Sequence, residues 1–197
     1  MWCIAICHDG ENASAARKRQ FQAHVAHNIA NIGRFLLTGV LASADGVTEI
    51  ESDPRLMGSL YCLDIESLAA ARDLMESDPF ADGAWAQIDY FRWDSPSGLW
   101  LDETARPKGL RPDYGCYLAA SRAPLAVEDA LMSGAVVPLA STGASAEPLA
   151  AVAVLRAASM AEARVRAKGA AWVAAVPVAI GRWVNIVAAA DLAAARN

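Results

Sequence analysis

The sequence has few of the residues that mark metal, nucleotide or nucleic-acid chemistry. It holds three histidines (His8, His24, His27) and four cysteines (Cys3, Cys7, Cys62, Cys116). No CxxC pair and no His/Cys cluster at zinc-ligand spacing occurs, which leaves no metal site to expect. Three of the cysteines lie in apolar, strand-like runs and Cys7 ends one, so all four read as small buried hydrophobes. A reduced, cytoplasmic, metal-free protein is the expectation. No Gly-rich phosphate loop, nucleophile elbow or paired-carboxylate motif is present, so any chemistry is expected to need no cofactor. Lys and Arg number 17 against 22 Asp and Glu, a formal charge of -5, which argues against a nucleic-acid partner. No run reads as a membrane span, and the opening apolar stretch Trp2 to Cys7 has the length of a strand rather than of a signal peptide.

What is present is a well-supplied core. Hydrophobic residues make up 55% of the chain and charged ones 20%, a balance that excludes disorder. After the Trp2 to Cys7 strand comes a polar turn, His8 to Asn12, and Ser14 is placed to cap a long helix running toward Gly33. In that helix Phe21, His24, Val25, Asn28, Ile29, Ile32 and Phe35 recur at spacings of three and four, one continuous stripe that faces His24 inward. Leu36 to Leu41 reads as a second strand interrupted at Gly39. Gly58 to Ile65 reads as a third, apolar enough to be central. Ser67 caps a second helix in which Leu68, Ala71, Met75 and Asp78 share a face, and Pro79 ends it. Trp85 to Trp93 makes a fourth strand. Strand, helix, strand, strand, helix, strand is the order of a ferredoxin-like unit.

The stretch from Asp94 to Asp113 is irregular and marks a boundary; residues 1–100 form a first domain and 101–113 a linker. Residues 114–197 then repeat the first domain in shortened form. Cys116 stands where Cys3 stood, Pro124 to Met132 is a half-length helix, and Gly134 to Leu139 echoes Gly33 to Val40. Ser67-Leu68-Ala69-Ala70-Ala71-Arg72 aligns with Ser159-Met160-Ala161-Glu162-Ala163-Arg164, where Ser159 and Glu162 form a capping box. Phe91-Arg92-Trp93 aligns with Gly181-Arg182-Trp183. On this alignment Ala170 replaces Asp78 and Leu125 replaces His24, so the second copy keeps the scaffold and lacks the His–Asp pair. The fold expected is α+β, with tandem ferredoxin-like (βαββαβ) units forming a pseudo-dimeric alpha/beta barrel.

The first hundred residues resemble the YciI-like (YCII-related) family of the dimeric alpha/beta barrel superfamily. The resemblance rests on Asp9 in the turn after the first strand, Arg17 and Arg19 at the helix start, the Ala23-His24 pair, Gly39 in the second strand, and the Gly58-Ser59 strand opening. Ser67-Leu68 and Ser77-Asp78-Pro79-Phe80 complete it. Val40 departs from the proline usual after the second-strand glycine, and His27 stands where an aromatic residue is common. The resemblance implies a pocket with a His–Asp dyad as catalytic centre, here His24 and Asp78, with Ser59 on the pocket wall. It also implies sheet pairing with a second copy, a role the degenerate second half can fill as an intramolecular pseudo-dimer; sheet edges leave room for a homodimer as well.

A lone histidine on an apolar helix face is ordinarily a satisfied core residue; a carboxylate on the matching face of the other helix turns the reading toward function. A carboxylate on one ring nitrogen fixes the tautomer and leaves the other nitrogen as a base. Asp9, Arg17, Gly39, Ser59 and Phe80 are the candidate substrate-binding residues. Arg17 and Arg19 read as a solvated helix start able to attract a carboxylate, and His8 and Asp9 as part of a turn that can close over a ligand. The functional expectation is a small cofactor-independent enzyme of lyase or isomerase type acting on a small oxygenated molecule. The alternative is a non-catalytic protein that binds a small metabolite, and haem or metal binding is a weaker third.

Overall fold

A computed structural model describes residues 1–47, 49–101, 115–143 and 148–182. The first half contains β1 (Trp2–Asp9), α1 (Ala13–Ala30), β2 (Phe35–Ala42), β3 (Leu56–Asp64), α2 (Leu68–Glu76) and β4 (Trp85–Ser97). The second contains β5 (Gly115–Ser121), β6 (Met132–Ser141), β7 (Ala151–Ala157), α3 (Met160–Arg166), β8 (Trp172–Ala175) and β9 (Ala179–Ile180). Period-two alternation in β1 sends Ile4 and Ile6 to one side of the sheet and Cys3, Ala5 and Cys7 to the other.

The strands run in the order β3-β1-β4-β6-β7-β5-β8-β2, and β2 pairs back onto β3, so eight strands close into an antiparallel barrel. The two-residue β9 adds to β2. Neighbour order in the first half, β2-β3-β1-β4, recurs in the second as β6-β7-β5-β8. The two seams between the halves differ in extent. β4 and β6 pair from Asp89–Ser141 to Ser97–Ser133, whereas the opposite seam is made by Ala42–Ala175, Thr38–Ile180 and Gly39–Ala179.

Three apolar layers follow from this closure. The barrel interior is filled by side chains of strands from both halves, among them Ile4, Leu60, Phe91, Leu118 and Val154. Outside the first sheet, Cys3, Tyr61, Leu63 and Tyr90 pack with Ala71, Leu74 and Met75 of α2 and Ala16 of α1. Outside the second, Tyr117, Ala119 and Leu155 pack against Met160 and Ala163 of α3. The fold is thus α+β, a closed barrel with its helices on the outer surface. No helix among the described residues is long and apolar enough to cross a membrane.

Several local expectations are corrected. Residues 124–132 form no helix: the backbone turns at Asp129, whose φ of 51 lies in the left-handed region and is incompatible with a helix. Leu125 and Val127 still lean on the outer cluster of the second sheet. Helix α1 starts at Ala13, ahead of Ser14, and its N-cap Asn12 makes no side-chain cap bond; the Ser14 hydroxyl donates instead to the Ser52 carbonyl at 3.0 Å. β2 runs through Gly39 without a break, and β4 continues to Ser97, past the expected boundary. The N-caps of α2 and α3 are as expected, with Ser67 accepting from Ala70 N–H at 3.1 Å and Ser159 from Glu162 N–H at 3.2 Å, but the Glu162 carboxylate accepts from Ala158 N–H at 2.8 Å rather than from Ser159, so the expected capping box is not closed. Trp183, and residues 102–113 of the expected linker, lie outside the described residues.

Candidate active site

The site forms where α1 crosses the outer face of β2 and β3. α1 carries Arg17, His24 and Asn28 on the side facing the sheet, all buried, at seven- and four-residue intervals that stack successive turns on one face. Period two in β3 puts Ser59 and Tyr61 on the same face of the sheet. Asp78 arrives differently from the sequence expectation. α2 ends at Glu76, and Asp78 is the N-cap of a separate 3-10 turn, Pro79–Ala81, with its Oδ1 accepting from Phe80 N–H at 2.9 Å. The proline that ends the helix thereby fixes the carboxylate.

His24 Nδ1 lies 2.8 Å from Asp78 Oδ1 and 2.9 Å from Oδ2. On its other side, His24 Nε2 lies 3.0 Å from Asn28 Nδ2. With Asn28 donating there, Nε2 holds a lone pair and Nδ1 donates to the carboxylate, the neutral tautomer. Tyr61 supports both ends of this chain, its hydroxyl 3.3 Å from Asp78 Oδ2 and 3.4 Å from Asn28 Oδ1. Burial, and then the charge of Asp78, push the Tyr61 phenol well above its ordinary value, so Tyr61 is a donor. The same two causes raise the Cys7 thiol well above its usual range; Cys7 is no nucleophile. Phe80 lies flat on the imidazole with ring centroids 3.7 Å apart and planes 6° from parallel, and Trp85 meets the same ring edge-on at 6.2 Å. His24 is thus fixed by two hydrogen-bond partners and two aromatic walls.

A cavity of about 140 Å³ opens beside His24. Its polar wall is His24, Asn28, Thr38, Ser59 and Tyr61, and the rest is mostly apolar, including Val25, Val40 and Ile50. Val178 and Ile180, from the second half of the chain, complete it. Gly39 admits them: a Cβ at that position would lie 2.5 Å from the Val178 carbonyl oxygen and 2.6 Å from Val176 Cγ1.

The remaining candidates stand one layer away. Arg17, expected to be solvated, is only 1% exposed. Its Nε and Nη2 each donate to the Asp9 carboxylate at 2.8 Å, and Nη2 also reaches Ser59 Oγ at 3.2 Å. The reason is bidentate pairing, which offsets the cost of burying a guanidinium. Its Cζ sits 4.8 Å from the centre of the Phe80 ring. Asp9 and Arg17 line a neighbouring polar cavity of about 240 Å³ with Asp53; of the expected substrate-binding residues, Ser59 and Gly39 border the His24 cavity and Asp9, Arg17 and Phe80 do not. His8 forms a pair of its own with the fully buried Asp89, at 3.1 Å. Arg19 is exposed and His27 half-buried.

The YCII-related domain profile matches residues 1–94, the part of the chain that supplies His24, Asp78, Ser59 and Tyr61. This stretch of the chain is similar to the YCII-related family. No match is found among curated proteins. Among solved structures, 5-chloro-2-hydroxyhydroquinone dehydrochlorinase from Burkholderia phenoliruptrix AC1100, in complex with 2,5-dihydroxybenzoquinone, aligns with 22% identity and a TM-score of 0.43. That alignment covers 48% of this chain and 94% of the other.

Asn28, Tyr61, Thr38, Val178 and Ile180 border the site without being among the expected site residues. Asn28 had a legible signal, a polar residue one turn beyond His24 in an otherwise apolar stripe, and so had Tyr61, two positions after Ser59 in one strand. Val178 and Ile180 carried none, because nothing in an apolar segment tells which neighbour it will cover.

Proposed function

We propose that the chain is a cofactor-independent enzyme of lyase or isomerase type, in which His24 moves a proton on a small oxygenated substrate. The observation that carries this reading is the His24 imidazole in the cavity wall, with Asp78 at Nδ1 and the Asn28 amide at Nε2. A substrate proton near that nitrogen replaces the Asn28 hydrogen bond, moves to Nε2, and leaves an imidazolium beside the Asp78 carboxylate. Asp78 orients the ring and compensates the charge that develops on it, the role of a carboxylate behind a histidine base. Returning the proton to another atom isomerises the substrate; losing a neighbouring leaving group instead makes the step an elimination.

We further infer that the barrel is an intramolecular pseudo-dimer of two ferredoxin-like units, of which the second has lost the site. In support, the two halves share a neighbour order, and Leu125, in the place of His24, lies in a segment without a helix. The test is turnover of His24→Ala and Asp78→Asn on a substrate found by activity screening. A fall of about 10²-fold or more in kcat is expected for both, and wild-type turnover in both overturns the reading.

A further inference from the structure

The walls of the His24 cavity differ in what they offer a ligand, and the difference points to a substrate class. At about 140 Å³ the cavity is close to the roughly 150 Å³ engineered cavity that accepts benzene, so it takes one six-membered ring and little more. No Lys or Arg is among its lining residues. Asp78 stands directly behind the imidazole, and a second carboxylate brought to that end would be desolvated next to the first. The nearest buried cation, Arg17, is already held by Asp9 and lines the other cavity.

Arg17 nevertheless acts on the pocket through one atom. Its Nη2–H reaches Ser59 Oγ, and Ser59 borders the His24 cavity. A hydroxyl that accepts from a guanidinium is a stronger donor in its turn. The cavity is thus bordered by a potential proton acceptor, His24, whose Nε2 is held by Asn28 until a substrate replaces that bond, and by a polarised donor, the Ser59 hydroxyl. This pairing matches a carbonyl compound with an acidic C–H beside its C=O.

Resting on the general-base reading of His24, we propose that the site takes an uncharged, single-ring-sized carbonyl compound, with Ser59 meeting the carbonyl oxygen and Val178 and Ile180 setting the size limit. His24 Nε2 takes the α proton, the C–H electron pair becomes the enolate C=C, and the carbonyl π pair moves to the oxygen that Ser59 holds. Reprotonation from His24 restores a neutral product, so the step needs no oxidant or further reactant. The second half of the chain takes part in recognition, since Val178 and Ile180 belong to it while every other named group belongs to the first.

The experiment uses the full chain and three probes: cyclohexanone, cyclohexanecarboxylate of matched size, and the bicyclic 2-decalone. Binding is read by saturation-transfer NMR titration and proton removal by α-deuteration of the ketones in D2O. Cyclohexanone is expected to bind at least tenfold more tightly than either of the others. Val178→Ala and Ile180→Ala should reduce the cyclohexanone-over-decalone ratio at least fivefold, and Ile180→Trp should abolish cyclohexanone binding, with melting temperatures verifying that each variant is folded. Ser59→Ala should slow α-deuteration at least tenfold while changing cyclohexanone affinity less than threefold. Equal binding of the carboxylate, binding of neither ketone, or an unchanged size ratio in both alanine variants overturns the proposal. If the binding preferences appear but α-deuteration by the wild type is no faster than by Asp78→Asn, the general-base reading fails while the ligand class stands. Asp78-dependent proton exchange on the carboxylate has the opposite meaning.

Discussion

Asn28 Nδ2 stands 3.0 Å from His24 Nε2, so the ring nitrogen opposite Asp78 accepts a hydrogen bond rather than facing an empty cavity. The imidazole is therefore read from both sides: a carboxylate at Nδ1 demands a proton there, and an amide N–H at Nε2 demands a lone pair. Replacing Asn28 by Asp puts a carboxylate at each nitrogen and favours the imidazolium. Asn28→Asp is expected to lower any His24-dependent turnover about 10²-fold. A steady-state assay of the variant measures the effect; turnover equal to wild type removes Asn28 from this role.

Arg17 is a buried cation with a half-buried carboxylate partner, and removing it strands Asp9 and Ser59. Arg17→Ala is expected to lower stability by about 3–5 kcal/mol, read as a shift in the urea midpoint. Arg17→Lys should recover only part of that, because an ammonium cannot make the two parallel bonds to Asp9. Full recovery by lysine would make the interaction one of charge alone.

Gly58 has φ +156, and a Cβ there would lie 1.9 Å from the Cys7 carbonyl oxygen. β3 meets β1 at this place, the strand that carries Ser59 and Tyr61. Gly58→Ala is expected to destabilise the protein by about 3 kcal/mol or more, at the upper end of overpacking costs. Circular dichroism melting would show it, and a melting temperature within two or three degrees of wild type contradicts it.

Burial pushes the Cys3 and Cys116 thiols from 9.0 up to about 12. Their folded values are raised, so the native state keeps protons that the unfolded chain releases. Their contribution is fully present below pH 9 and is lost as pH rises from there toward 12, at up to about 1.4 kcal/mol per thiol per pH unit. The expected result is a urea midpoint lower at pH 10 than at pH 7.5, with a smaller drop in Cys116→Ala. A pH-independent midpoint across this window rules the effect out.

The sequence was most legible where period and capping act locally. The Trp2 to Cys7 strand and the Ser67 cap depend on a few neighbouring residues and are read directly, whereas the approach of His24 to Asp78, 54 positions apart, is expected from the helix faces and the family resemblance. Its spacing suggests a helix face for Asp78, whereas the position of that carboxylate comes from the turn that Pro79 begins. Arg17 was misjudged because its burial depends on a partner eight residues away, Asp9, and on a hydroxyl in another strand, Ser59. The absent helix after Pro124 shows the limit of reading by repeat, since two halves can share a strand order while one connection turns at Asp129 instead of coiling. The cavity wall from Val178 to Ile180 is a property of barrel closure, which depends on how two distant sheets meet.

That closure has a thermodynamic side. The seam between β2 and the β8–β9 segment consists of Ala42–Ala175, Thr38–Ile180 and Gly39–Ala179, and it runs along the pocket itself, with Thr38, Gly39 and Ile180 in the cavity wall. A molecule resting there touches both halves across the shorter of the two junctions. Occupancy and closure are then linked functions: whatever free energy a ligand gains from the closed barrel is added to the resistance of that seam to opening. Amide hydrogen exchange at Thr38 and Val40, next to the seam, is where a bound ligand first becomes visible as slowed breathing of the barrel.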